Sequence, residues 1–266
     1  MSKIVVSSDW HLDASTAGVR RFEEIRRAAW ESVQKAVEEK ASAYFFLGDL
    51  CDPDSGSSVF RCVETAMTLA RLLAHHHIPS YWLAGNHDVI EDGTGDTTLS
   101  PLRGDPTGKI TVIESPKTVW VLRENDSAIP AVFLPYTSTC NKVDLHEWLP
   151  EAFLDLNKTM PLKGRSIIVA GHLNVAGIVP GSETEDMPRG RDVWFPYEAV
   201  NDLLSEYEAS GLLLNGHIHK AGAYYVGGKD NPPILIPGNL ANLTFGEEDN
   251  NPGYIVVEVA DTSCQW

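Results

Sequence analysis

Six short apolar runs punctuate the chain, each ending in Gly, Asp, Asn or His: IVVSSD from Ile4, YFFLGD from Tyr44, YWLAGN from Tyr81, IIVAGH from Ile167, LLLNGH from Leu212 and ILIPGN from Ile234. Runs this short, rich in Val, Ile, Leu, Tyr and Phe, predict buried strands. Between the first two, Phe22, Ile25, Ala29, Val33 and Val37 recur at three- and four-residue steps, which predicts an amphipathic helix over Arg21 to Lys40. Further helices are predicted over Val59 to His75, Asp144 to Asn157 and Tyr197 to Ala209, the last opened by Pro196. ITVIES, TVWVL and AVFLP add strands between the second and third helices. About ten strands and four helices in mixed order favour two sheets packed face to face with helices outside, a four-layer αββα sandwich of the α/β (α+β) class. No linker or repeat divides the chain, so one domain is expected over residues 1–266.

The polar residues concentrate where these runs end, and strand ends in such folds converge on one rim. Asp9 and His11 stand two apart, a spacing that places both side chains on one side of an extended segment. The second run closes in Gly48-Asp49-Leu50-Cys51-Asp52 and the third in Gly85-Asn86-His87-Asp88. Later runs finish Gly171-His172 and Gly216-His217-Ile218-His219, where His-x-His again offers two imidazoles on one side. Carboxylate, imidazole and amide oxygens suit Mn, Fe or Zn. Asp9, His11, Asp49, Asn86, His172, His217 and His219 are more donors than one ion can use. Two ions sharing a carboxylate would use them, activating water and clamping phosphoryl oxygens.

Composition narrows the partners. The 266 residues carry 37 acidic and 21 basic side chains, a net charge of −16, which argues against a broad basic face for gripping nucleic acid. No apolar run approaches membrane-spanning length and MSKIVVSSDW has a strand pattern without a signal-peptide core, so no membrane association and a cytoplasmic location are expected. The cysteines Cys51, Cys62, Cys140 and Cys264 form no C-x-x-C pair and are expected as reduced thiols. His75, His76, His77 and His146 read as solvated surface. Asp52 reads either as support for a ligand or as the cap of the turn before Pro53.

The ordered set D-x-H, G-D-x-x-D, G-N-H-D, G-H and G-H-x-H, spanning residues 9 to 219, resembles the calcineurin-like metallophosphoesterases. The resemblance implies that Asp9, His11, Asp49 and His219 hold one metal and that Asp49, Asn86, His172 and His217 hold the other, with Asp49 bridging. It implies two divalent ions, Mn foremost, with Fe, Zn, Mg or Ni as alternatives. His87 looks like the family's catalytic histidine, with Asp88 orienting its ring.

Three further segments are similar to the SbcD-type DNA-repair exonucleases: Ser8 to Leu12, IVAGHLNVAGIVPGSETE from Ile168 to Glu185, and IPGNLANLTFGEE from Ile236 to Glu248. The last also reads as a strand, turn and strand closing the second sheet, with Phe245 in the core. The likeness implies a nuclease acting on DNA and an SbcC-like ATPase partner, although the segment that docks on that ATPase is not found after Glu248. A phosphodiesterase or phosphatase acting on small or cyclic nucleotides is the enzymatic alternative, and a non-catalytic scaffold the alternative of another class. Arg189 and Arg191 in the Pro180 to Trp194 loop, and Arg103 and Lys109 after G-N-H-D, are the local basic residues. Both loops are candidate lids, and Trp10 and Trp194 are candidates to stack a base.

Overall fold

The computed structural model describes residues 2–124, 127–137, 142–176, 193–226, 231–260 and 263–265. In chain order the first half comprises β1 (Ser2–Ser7), β2 (Ser15–Thr16), β3 (Val19–Arg20), α1 (Phe22–Glu38), β4 (Ala43–Phe46), α2 (Ser58–His75), β5 (Ser80–Leu83), β6 (Ile110–Ile113), β7 (Lys117–Glu124) and β8 (Ser127–Leu134). The second half comprises α3 (Leu145–Thr159), β9 (Ser166–Gly171), α4 (Tyr197–Glu206), β10 (Ser210–Asn215), β11 (Gly222–Tyr224), β12 (Ile234–Ile236), β13 (Ile255–Ala260) and β14 (Ser263–Gln265).

Two six-stranded mixed sheets result, ordered β14-β13-β1-β4-β5-β6 and β11-β12-β10-β9-β8-β7, with β2 and β3 as a separate hairpin. The alternation inside each apolar run explains the layering. Ile4, Val6, Phe45, Leu47 and Leu83 of the first sheet meet Ala131, Phe133, Ile168, Ala170, Leu212 and Leu214 of the second. The intervening residues Val5, Tyr44, Phe46 and Trp82 face outward onto Ile25, Ala29 and Val33 of α1 and Cys62, Ala66, Leu69 and Leu73 of α2. On the other side Val132, Leu134, Val169 and Leu213 pack on Leu149, Phe153 and Leu156 of α3 and Val200 and Leu204 of α4. A strand buried on both faces must be apolar at every position, which is why these runs are continuous rather than alternating. This is the expected αββα order.

Helix ends fall within a few residues of the pattern. Asp144 caps α3 by accepting from the His146 amide, and Pro196 precedes α4. The closing block departs from expectation. β12 lies in the second sheet, but the chain then crosses over and β13 pairs antiparallel with β1 in the first. Phe245 is 77% exposed and stands outside the core. Cys51 and Cys62 are buried free thiols. No helix among the described residues is long and apolar enough to cross a membrane.

Candidate metal centre

Five strand ends meet at one rim. β1, β4 and β5 run parallel in the first sheet, and β9 and β10 run parallel in the second. The loops leaving β1 and β4 are laced together by Asp9 N to Gly48 O at 2.9 Å, His11 N to Asp49 O at 3.0 Å and Leu12 N to Leu50 O at 3.0 Å. Trp10, between Asp9 and His11, turns into the core against Phe46 and Trp82 and donates from Nε1 to Ser7 Oγ at 3.0 Å. It is fully buried and has no face to offer a base.

The backbone here is not extended. Asp9 (φ 51°), His11 (φ 42°), Asp49 (φ 62°) and His217 (φ 71°) all occupy the left-handed region, which is costly for residues with a Cβ. Convergence of Asp9 with His11 therefore comes from a strained turn and not from strand alternation. The same strain parts the two histidines of His-x-His, which serve different clusters. Gly48 and Gly85 make the approach feasible. A Cβ at Gly48 would strike His172 Nδ1 and the Gly85 backbone, and one at Gly85 would strike the Asp49 carboxylate.

Asp9, His11 and His219 place their donor atoms within 4.8 Å of one another, and so do Asp49, His172 and His217. Asn86 joins the second group, its Oδ1 lying 3.1 Å from His172 Nε2 and 3.0 Å from His217 Nδ1. Asp49 Oδ2 stands between the groups, 3.6 Å from His11 Nε2 and 3.1 Å from His172 Nε2. All seven residues singled out in the sequence as donors are thus brought together.

Their state fits a pair of cations. In each aspartate one oxygen is anchored by a backbone amide: Asp9 Oδ1 accepts from His217 N at 3.1 Å, and Asp49 Oδ1 from His87 N at 2.9 Å. The other oxygen is buried in both: Asp49 Oδ2 faces the imidazoles of His172 and His11, and Asp9 Oδ2 accepts no well-formed hydrogen bond. Such orphaned acceptors are rare unless something else satisfies them. Burial pushes the Asp9 carboxyl up to about 7 despite the histidines nearby. Burial also opposes charge on Asp49 and His172, but their mutual attraction prevails. Asp49 is held well below the usual carboxylate range and His172 is pushed up to about 9.

Around the donors, His87 lies at the mouth, partly exposed, its ring centroid 5.0 Å from that of His11. The Asp88 carboxylate is fully buried and accepts from the amides of Asp49 and Gly85 at 2.8 Å, Leu50 at 2.9 Å and the Thr98 hydroxyl at 2.5 Å. Burial and the Asp49 charge push it up to about 6. The carboxylate facing the His87 ring is Asp52, 3.8 Å from Nδ1, which also caps its own turn by accepting from Asp54 N.

Sequence reasoning missed two residues. Asn174 Oδ1 lies 3.1 Å from His217 Nε2, and Glu247 Oε1 lies 2.7 Å from His219 Nδ1. Thr244-x-x-Glu247 forms a capping box on a short 3-10 turn, a signal readable from the sequence.

The remaining candidates fare unevenly. Arg103 is engaged by Asp96 at 3.1 Å and Glu114 at 2.5 Å, and the loop it belongs to is pinned by the Val89–Thr97 bridge. Lys109 is half-buried at the start of β6. Trp194 is 52% exposed and bridges to Asn174. Arg189 and Arg191 lie outside the described residues. His75, His76, His77 and His146 are exposed, as expected.

Comparison with known proteins agrees with this geometry. A dimetal phosphatase from Danio rerio superposes with a TM-score of 0.59 at 12% identity, covering 96% of this chain and 92% of the other. A second solved structure, also 12% identical, gives a TM-score of 0.50 over 98% of this chain and 99% of its own. Identity that low speaks to the fold alone. The family profile of the calcineurin-like phosphoesterases, by contrast, matches residues 2–221, a stretch holding every strand end that meets at the rim. With two donor clusters and the αββα layers already in place, the chain belongs to the calcineurin-like phosphoesterase family.

Proposed function

We propose that this protein is a two-metal phosphodiester hydrolase that cleaves DNA, a compact nuclease of the SbcD type. The observation that carries the reading is the pair of donor clusters flanking Asp49, with His87 at their mouth. Asp9, His11, Asp49 and His219 would hold one ion, and Asp49, Asn86, His172 and His217 the other. Divalent ions, Mn in this reading, supply Lewis-acid polarisation of the phosphoryl oxygens and a water acidic enough to attack near neutral pH.

The chain's own residues do the rest. The amides of His87 and His217 fix one oxygen of Asp49 and Asp9, so that each carboxylate turns its free oxygen inward. The His87 imidazole, at the mouth, holds a proton for the departing oxygen, with the Asp52 carboxylate 3.8 Å from its Nδ1. Asp88 keeps the two loops carrying Asp49 and His87 at a fixed separation.

Two observations support a DNA-directed enzyme. The FGEE block, similar to SbcD-type nucleases, reaches the centre through Glu247, and Trp194 offers an exposed ring beside Asn174 for base stacking. A second reading, hydrolysis of small or cyclic nucleotides, is favoured by the net charge of −16 and by the neutralisation of Arg103. Mn-dependent cleavage of single- and double-stranded DNA, assayed beside cyclic nucleotides and bis-p-nitrophenyl phosphate, separates the two. Turnover confined to the small esters would overturn the nuclease. The non-catalytic scaffold would be the correct reading if purified protein took up no metal and cleaved nothing.

A further inference from the structure

The histidines of the two clusters are braced by different chemistry. His172 Nδ1 faces the Leu47 carbonyl at 2.5 Å, and His217 Nε2 faces the Asn174 amide oxygen at 3.1 Å. Both braces are neutral. His219 Nδ1 instead meets the carboxylate of Glu247 at 2.7 Å, while its Nε2 points into the first cluster, 3.3 Å from His11 Nε2 and 4.0 Å from Asp9 Oδ1.

Glu247 is itself held rigidly. It is 3% exposed, and its other oxygen, Oε2, accepts from Leu243 N at 2.6 Å, Asn239 Nδ2 at 3.0 Å and Thr244 N at 3.3 Å. Three donors on Oε2 leave Oε1 no direction but toward His219. A carboxylate can only accept, so Nδ1 must carry a proton, and in the neutral ring the lone pair then sits on Nε2. A carboxylate behind a ligating imidazole fixes its tautomer and raises its basicity.

We infer that Glu247 is a positioning residue that locks His219 as the Nδ1–H tautomer and makes the Asp9–His11–His219 cluster the tighter of the two cation sites. The inference rests on the two-metal reading above. It adds a residue 28 positions beyond His219 and an order of filling between the sites.

Glu247→Gln is the informative variant. Its amide oxygen is drawn to the three donors now on Oε2, which turns the –NH2 group toward His219 Nδ1. The ring must then accept at Nδ1 and carry its proton on Nε2, the nitrogen that faces the cluster. Nitrogen-15 NMR of the metal-free protein reads this directly, without metal or turnover. Wild type should show His219 protonated at Nδ1, and the variant should show it protonated at Nε2. Calorimetric titration with Mn2+ should give two unequal sites in wild type. The variant should weaken the tighter one by about 10- to 100-fold and leave the other within about twofold.

The inference is overturned if wild-type His219 carries its proton on Nε2, if the variant keeps the wild-type tautomer, or if both Mn2+ affinities are unchanged in a folded variant. Should the variant not fold, the wild-type tautomer alone decides. Wild type that binds no Mn2+ at all, with the Nδ1–H tautomer present, would instead overturn the two-metal reading and leave the hydrogen bond standing.

Discussion

The two donor clusters contain the same residue types, one aspartate and two histidines each, yet they are built differently. The second is closed on itself. Asn86 touches both of its histidines, and the braces behind them come from Leu47 and Asn174, on loops that already belong to the rim. The first is open toward the mouth, where the His11 ring meets His87, and its brace Glu247 arrives from the crossover between the sheets. Equal donors therefore do not make equal sites. What stands behind each imidazole decides which nitrogen presents its lone pair and how strongly.

The sharpest way to break this contrast is to remove what the clusters share. Asp49→Ala deletes the carboxylate between them, and phosphoester hydrolysis should fall by about a thousandfold or more. Calorimetry on the variant should find both Mn2+ affinities reduced. Loss of a single site would mean that Asp49 serves one cluster only. Chelation should silence wild type to the same level and take nothing further from the variant.

His87→Ala probes the mouth of the open cluster without removing a donor. A drop in kcat of roughly 10²- to 10³-fold, with metal content unchanged by elemental analysis, is expected. Full hydrolysis by this variant would remove His87 from the chemistry.

Asp88→Ala acts on the scaffold beneath both clusters. It strands the buried amides of Asp49, Leu50 and Gly85, and urea unfolding should show a loss of about 3 kcal/mol. If stability held while the pH profile of kcat lost the limb belonging to His87, Asp88 would act by orienting that ring and not by holding the loops.

The smallest effect is expected from Asn174→Ala, the mirror of the Glu247 variant. It should weaken the second cluster alone, by about tenfold. A matching loss at the first cluster would show that the sites are coupled through Asp49 and cannot be ranked separately.

Much of this was legible before any coordinates. Ile4, Val5 and Val6 announce a strand buried on both faces, and Ile25, Ala29 and Val33 announce the helix above it. The residues trailing each run, from Asp9 to His219, mark the rim. Other positions resisted. Trp10 reads as a rim aromatic, but an indole that reaches Ser7 Oγ and packs on Trp82 gains more by burial. Asp88 reads as the neighbour of His87, but its carboxylate accepts from two amides of another loop, Asp49 and Leu50, and from Gly85 of its own. Phe245 reads as core, yet the capping box of Thr244 and Glu247 turns the glutamate inward and the phenylalanine out.

The sequence by itself determined the four helices, the central strands, the layers they form and the set of donors, because apolar spacing and glycine-bracketed strand ends act over a few residues, while the short strands β2, β3, β11 and β14 carry no such pattern. Only the tertiary structure decided how those donors divide into two clusters, that β13 returns to the first sheet, and that Glu247 stands behind His219. Those outcomes depend on hydrogen bonds between residues 28 to 208 positions apart and on left-handed turns at Asp9, His11, Asp49 and His217. Local patterns cannot encode such pairings, since the strain of each turn is tolerated only when the whole core holds it in place.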